Sequence, residues 1–290
     1  MIDQDVTDAV ATVVDRAPLT PEQELTAIVL GSGLGPLADK IESSTAIPFE
    51  QIPGFARSTA GGHRGQLIVG ELAGKTVVAM AGRFHRYEGW TDSEVAFPIR
   101  VMRGLGATQL IASNAAGGVN PKLRVGDLVV IRDHINWLHP RAGGAALTAV
   151  QNDHVKATAE HQTPGRLGEV YSSRLAASAL KAARQGGFVA SEGTYLATLG
   201  PNYETRAEYR MMRHIGADVV GMSTVGEVMT AVGLGMSVLA ISTVSNVADP
   251  DRAVVADHQE VLVAGAAAAE KLEAIVRSVL RLPHPGGVRG

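Results

Sequence analysis

The 290-residue chain contains no cysteine. Disulfides, thiolate metal sites and a cysteine nucleophile are therefore excluded. Aromatic residues are scarce, at 4%, and neither sign of charge dominates: 26 Lys plus Arg against 29 Asp plus Glu leave a net charge of −3. That balance argues against a nucleic-acid binder that relies on a basic surface. The N-terminus carries Asp3, Asp5 and Asp8 with no basic stretch ahead of an apolar core, so it does not read as a secretory leader. The longest apolar stretch, 219–241, holds Ser223, Thr224, Glu227, Thr230 and four glycines, and does not read as membrane-spanning. A cytoplasmic protein with no membrane or nucleic-acid partner is the expectation.

What is present is 46% hydrophobic residues, 19% charged residues and 33 glycines. This is the profile of an α/β protein with many tight turns, long enough to bury a full core. Neither an internal repeat nor a linker is visible, so a single domain over 1–282 is expected, with 283–290 as a flexible tail. Val6, Ala9, Val10, Val13, Val14 and Ala17 recur at helical spacing and predict an opening helix, ended by Pro18 and Pro21. The continuous apolar run 27–30 predicts a strand buried on both faces. Further strands are expected over 66–72, 76–80, 109–112, 127–131, 194–199, 218–221 and 237–242, and helices over 92–105, 173–185, 205–215, 224–232 and 257–280. The alternation predicts an α/β fold with a central mixed β-sheet flanked by helices, antiparallel in part because of the hairpin-like runs near 66–80. Thr205-x-x-Glu208 and Thr224-x-x-Glu227 both fit the capping-box pattern of a helix start. The irregular segment 139–168 is expected to be functional or mobile.

Six polar or glycine-rich strings close predicted strands. Gly31-Ser32-Gly33-Leu34-Gly35 follows the first and can turn backbone N–H groups toward an anion, as a plain tight turn also would. Pro36 stands where a dinucleotide fingerprint needs glycine, and no Gly-Lys-Ser/Thr follows for a P-loop. In Gly82-Arg83-Phe84-His85-Arg86-Tyr87-Glu88, Arg83 and His85 lie two apart, so an extended segment projects both to one side. Arg suits bidentate phosphate contacts, although a solvated basic turn has the same pattern; His63-Arg64 is a second such turn. Ser113-Asn114-Ala115-Ala116-Gly117-Gly118 allows close approach to its backbone. Ser223 precedes a helix start, where anions bind, and could equally act as a cap. Tyr203 and Glu204 offer a ring and a carboxylate to a flat ligand, or merely a first-turn acid. Asn246 closes the cluster Ser242-Thr243-Val244-Ser245-Asn246 with an amide that both donates and accepts, and His258 opens the last helix. Ligands of α/β sheets bind outside the carboxyl ends of strands, so the shared position suggests an anion site beside a flat polar-ring site. No metal cluster stands out in the sequence. Ser223 is one residue off the nucleophile elbow, which disfavours a serine hydrolase.

In this order the strings resemble the trimeric purine nucleoside phosphorylase family. The matching pieces are 31–35, His63, Gly82-Arg83-Phe84-His85 with Tyr87-Glu88-Gly89, 114–118 with Asn120, Asp133-His134-Ile135-Asn136, Gly200-Pro201 with Tyr203-Glu204-Thr205, Gly221-Met222-Ser223-Thr224-Val225, and Asn246. The resemblance implies a phosphorylase/hydrolase-like α/β domain, a homotrimer, no metal and no cofactor, with inorganic phosphate as co-substrate. It implies reversible phosphorolysis of purine nucleosides, preferring inosine and guanosine, in purine salvage. By matched position, Ser32, His63, Arg83, His85, Ala115 and Ser223 would hold phosphate. Tyr87, Met222 and His258 would contact the sugar. Ala115, Ala116, Tyr203, Glu204, Val220 and Asn246 would hold the base, with Asn246, Glu204 and His85 as the catalytic groups. Methylthioadenosine phosphorylases are similar too, but typically carry Asp where Asn246 stands and lack a histidine at His258. A non-catalytic nucleoside- or phosphate-binding protein is a rival of another class. Val247 follows the base-binding Asn where mammalian-type members have Lys, Arg64 replaces a small residue, and Leu167 is the nearest match to a Phe lent by a neighbouring subunit.

Overall fold

The computed structural model describes residues 4–19, 23–31, 35–57, 64–138, 169–251 and 258–283. The strands are β1 (Leu25–Leu30), β2 (Glu42–Pro48), β3 (Gln66–Leu72), β4 (Lys75–Ala81), β5 (Ala107–Gly118), β6 (Leu128–Asn136), β7 (Ala190–Ala197), β8 (Val219–Gly221) and β9 (Ser237–Val247). The helices are α1 (Gln4–Arg16), α2 (Asp92–Gly104), α3 (Ser173–Gly186), α4 (Arg206–His214), α5 (Val225–Gly233) and α6 (His258–Leu280).

All six residues of β1 are buried. Ala27 and Val29 enter one core cluster, while Ile28 and Leu30 enter another. The strand is thus sandwiched, as its continuous apolar run predicts, because alternate side chains leave a sheet on opposite faces. The first cluster also takes Ala9 and Val13 of α1, Ile99 and Met102 of α2 and Val228 of α5. The second takes Leu175 and Ala179 of α3 and Leu272, Ile275 and Val279 of α6. The result is a single α/β domain with a mixed sheet between two helical layers. Among the described residues no helix is long and apolar enough to cross a membrane.

The sheet runs β2-β3-β4-β1-β5-β8-β7-β6-β9, and an additional pairing joins β5 to β9. That pairing closes β5, β8, β7, β6 and β9 into a ring, with β2, β3, β4 and β1 as an open wing. β3 and β4 form the expected antiparallel hairpin, while β1 pairs in parallel with both β4 and β5.

Three expectations are corrected. The strands expected to end at 112 and 242 run on through Gly118 and Val247, since β5 and β9 pair in parallel from Gln109↔Ser237 to Gly118↔Val247. The Ser113–Gly118 and Ser242–Asn246 strings therefore lie within strands rather than in turns after them. Edge strand β2 was not expected: its pattern is mostly polar and exposed, and Ile47 is its buried anchor. Finally, Thr224 is no cap. Its φ is +72°, and its side chain makes no capping hydrogen bond. Thr205 does cap α4, in a capping box with Glu208.

Candidate active site

Arg83 follows β4 and is 1% exposed. Such a charge is stable only when paired and hydrogen-bonded. Its Nε donates to Glu227 Oε1 at 3.2 Å and its Nη2 to Glu227 Oε2 at 3.0 Å, a two-pronged fit of fork to carboxylate. The remaining Nη1 donates to Ser223 Oγ at 3.1 Å. Burial pushes the Glu227 carboxyl upward, and Arg83 pulls it back. Gly31 is required at this point: a Cβ there would stand 2.7 Å from the Ser113 carbonyl oxygen and 3.2 Å from Arg83 Nη1.

Ser223 is aimed by β8, which runs antiparallel to the end of β5 with Val219 opposite Gly118 and Val220 opposite Gly117. The chain after β8 therefore steps back along β5. Thr224 turns it with φ +72° and ψ −49°, and Val225 N donates to Ser223 O at 2.8 Å. This is a γ-turn with positive φ, a strained form. It is pinned from β5, where Asn114 Nδ2 donates to Thr224 Oγ1 at 2.9 Å, and Ser223 N donates to the buried Tyr195 hydroxyl at 3.3 Å. Strained residues at functional sites persist when the surroundings over-determine them.

His85 continues the Arg83 segment in extended conformation and is 7% exposed. Its Nδ1 lies 2.7 Å from Glu88 Oε1, and its ring stacks on Tyr87 with centroids 4.7 Å apart. The Tyr87 phenol is pushed up to about 12, by burial first and then by the Glu88 charge. The other end is polar and neutral-to-acidic. Glu204 Oε1 accepts from Thr198 Oγ1 at 3.0 Å, and Oε2 accepts from the Tyr209 hydroxyl at 3.1 Å. Asn246 Oδ1 accepts from Ser245 Oγ at 3.0 Å.

Both ends open into one cavity, lined by Arg83, His85 and Ser223 and also by Glu204, Tyr209 and Asn246. Among the described residues no group of three or more His, Cys, Asp or Glu side chains is placed to hold a metal ion. A buried cation–hydroxyl cradle facing a carboxylate–amide edge can hold an anion and a hydrogen-bonding ring at the same time.

The phosphorylase superfamily model matches residues 26–281. Purine nucleoside phosphorylase 1 of Geobacillus stearothermophilus is 49% identical over 234 residues, covering 81% of each chain. The chain belongs to the purine nucleoside phosphorylase family. The Rattus norvegicus purine nucleoside phosphorylase is 42% identical over 270 residues, 92% of this chain and 91% of that one. The crystal structure of the Schistosoma mansoni purine nucleoside phosphorylase in complex with adenosine superposes with a TM-score of 0.82 at 36% identity, over 98% of this chain and 99% of that one.

Of the residues matched to this pentosyltransferase family in the sequence, Arg83, His85, Ala115 and Ser223 line the cavity, as do Tyr87 and Met222. So do Ala116, Tyr203, Glu204, Val220 and Asn246. Ser32, His63, Leu167, the 139–168 segment and 284–290 lie outside the described residues. His258 opens α6, but its side chain is outside them too. Arg64, beside His63, is committed elsewhere, in a two-pronged pair with Asp39 at 2.5 and 2.7 Å.

Sequence reasoning missed two residues here. Glu227 reads as a first-turn helix acid, and only its burial, 2% exposed, marks it as the Arg83 counter-ion. Tyr209 falls inside the expected helix 205–215 and belongs to none of the strings singled out in the sequence. It does pack with Leu196, Met212 and Val220, but its hydroxyl enters the cavity's polar network.

Proposed function

We propose that the chain catalyses the reversible phosphorolysis of purine ribo- and deoxyribonucleosides, preferring inosine and guanosine, to give the free base and (deoxy)ribose 1-phosphate. The observation that carries this reading is the single cavity with Arg83 and Ser223 on one part of its wall and Glu204 and Asn246 on another. Phosphate is held by Arg83, His85, Ser223 and the Ala115 backbone, together with Ser32 and His63. The sugar is held by Tyr87, Met222 and His258, and the base by Tyr203, Glu204, Asn246, Ala116 and Val220. Inorganic phosphate is a co-substrate and no cofactor is needed.

Attack by phosphate on the anomeric carbon passes through an oxocarbenium-like sugar. A fixed anion beneath that sugar stabilises its developing positive charge, and holding both reactants together supplies proximity. The departing purine gains electron density. Asn246 donates to N7, and Glu204 accepts from N1–H of a 6-oxopurine. Adenine has an acceptor at N1, which meets an acceptor-only carboxylate. The Schistosoma mansoni relative is solved with adenosine and with inosine, and a schistosoma purine nucleoside phosphorylase with hypoxanthine, so turnover rather than occupancy tests the preference.

The test is release of hypoxanthine from inosine with and without phosphate, followed as uric acid through xanthine oxidase. Phosphate-dependent release supports the reading; its absence with inosine overturns it. On the resemblance of the ordered motifs the reading extends to purine salvage in the cytoplasm by a homotrimer, for which sedimentation equilibrium is the direct check.

A further inference from the structure

Among the described residues, the base-facing Glu204 carboxylate is held by two side-chain hydroxyls. Ser245 Oγ lies 3.0 Å from Asn246 Oδ1 and 3.2 Å from the Ala116 carbonyl oxygen, with one proton for the two acceptors. The Tyr209 hydroxyl donates to Glu204 Oε2 at 3.1 Å and lines the same cavity as Asn246. A hydroxyl has one proton. Given to Glu204, that proton leaves the Tyr209 oxygen an acceptor only, in the cavity that Asn246 also lines. Thr198 Oγ1 donates to the other carboxylate oxygen at 3.0 Å. Both Glu204 oxygens are thus held by protein donors, and the carboxylate is left as an acceptor toward the cavity.

We propose that Tyr209 is a positioning residue that sets base specificity, acting through its hydroxyl on Glu204. The inference rests on the phosphorolysis reading and names what makes that site selective. A donor at Asn246 and an acceptor at Glu204 match a ring that offers acceptors at N7 and O6 and a donor at N1. Adenine offers a donor at its 6-amino group and an acceptor at N1, and so opposes Glu204. Without the hydroxyl, Glu204 loses one of the two side-chain donors that the described residues give it, its carboxylate is free to turn, and the edge ceases to discriminate.

Tyr209 is 9% exposed and packed in a small apolar cluster with Met212 and Val220. Tyr209→Phe keeps those ring contacts and removes only the oxygen, and Tyr209→Met is a second variant that also fills the space. Two readouts are taken on wild type and on whichever variants match its melting temperature. They are kcat/KM for inosine over that for adenosine, and the affinity of hypoxanthine over that of adenine by calorimetry. The expected result is that both ratios fall about tenfold or more, the scale of one hydrogen bond to a charged group, while KM for phosphate is unchanged. A purely structural role lowers both nucleosides alike, and unchanged ratios overturn the proposal. Failure of both variants to fold assigns the hydroxyl to stability and overturns it as well. If wild type binds hypoxanthine but shows no phosphate-dependent turnover, the phosphorolysis reading fails while the affinity ratio still decides the role of Tyr209.

Discussion

Arg83 and Glu227, 144 residues apart, form a two-pronged ion pair in which both side chains are nearly fully buried. The pair ties the loop after β4 to the first turn of α5 and leaves Arg83 Nη1 directed at Ser223. Removing one member of such a pair leaves a buried charge uncompensated, at a cost of about 3–5 kcal/mol. Glu227→Gln is expected to lower unfolding stability by that order. Phosphate, an anion close to the orphaned guanidinium, then stabilises the variant more than it stabilises the wild type. Urea unfolding with and without phosphate measures both effects; an equal phosphate effect in the two proteins would separate Glu227 from the anion site.

The strained turn at Thr224 makes a second prediction. Asn114 Nδ2 is the donor that β5 supplies to Thr224 Oγ1, at 2.9 Å. Asn114→Ala removes it, and the γ-turn is free to relax toward an ordinary φ. Ser223 Oγ then drifts from its position beside Arg83. A neutral hydrogen bond contributes about 1 kcal/mol, so KM for phosphate should rise about fivefold while KM for inosine changes less. Steady-state kinetics with each substrate varied in turn reads the split.

Gly200 supplies a third. Its φ is +72°, and a Cβ there would stand 2.2 Å from Met222 Sδ and 3.2 Å from Tyr87. Gly200→Ala therefore meets both backbone strain, about 1–3 kcal/mol, and a clash with two cavity-lining side chains assigned to the sugar. Met222 is flexible and yields by moving within the cavity. KM for nucleoside should rise well above its wild-type value, with KM for phosphate close to normal. The opposite pattern would place Met222 and Tyr87 at the wrong end of the cavity.

How much was legible depends on what each residue answers to. β1 was readable because burial on both faces demands an unbroken apolar run, and Leu25–Leu30 supplies one. Arg83, Ser223, Glu204 and Asn246 were readable as a set, because their strings recur in order near strand ends. The extensions of β5 and β9 were not. Ser, Asn and Gly read as turn residues, and only the ladder between the two strands, which closes the ring, holds them extended. Thr224 and Glu227 fit the spacing of a capping box, yet the contacts that claim them come from Asn114 and Arg83, more than 100 residues away in sequence. Tyr209 was illegible for a related reason: one ring serves the core and one oxygen serves the site, and periodicity reports only the ring.

The tyrosines make the last prediction, on alkaline stability. Four of the five, Tyr87, Tyr171, Tyr195 and Tyr209, have phenols pushed upward chiefly by burial, Tyr87 and Tyr195 to about 12. In the unfolded chain a tyrosine titrates near pH 10, its ordinary value. Above that pH the native state binds more protons than the unfolded state, so stability falls as pH rises. For Tyr87 and Tyr195 the window is from about pH 10 to about 12; for Tyr171 and Tyr209 the loss continues above it. Each fully buried phenol contributes a slope of about 1.4 kcal/mol per pH unit inside its window. The half-exposed Tyr87 contributes less, because solvent screens it. Tyrosinate absorbance should therefore stay low in the native protein as pH passes 10, and then appear together with the loss of helical circular dichroism. Tyr195→Phe removes one titrating group and should flatten the descent between about pH 10 and 12. Smooth formation of four tyrosinates near pH 10 with the fold intact would mean that Tyr195 and Tyr209 are not held by their buried contacts to Ser223 and Glu204.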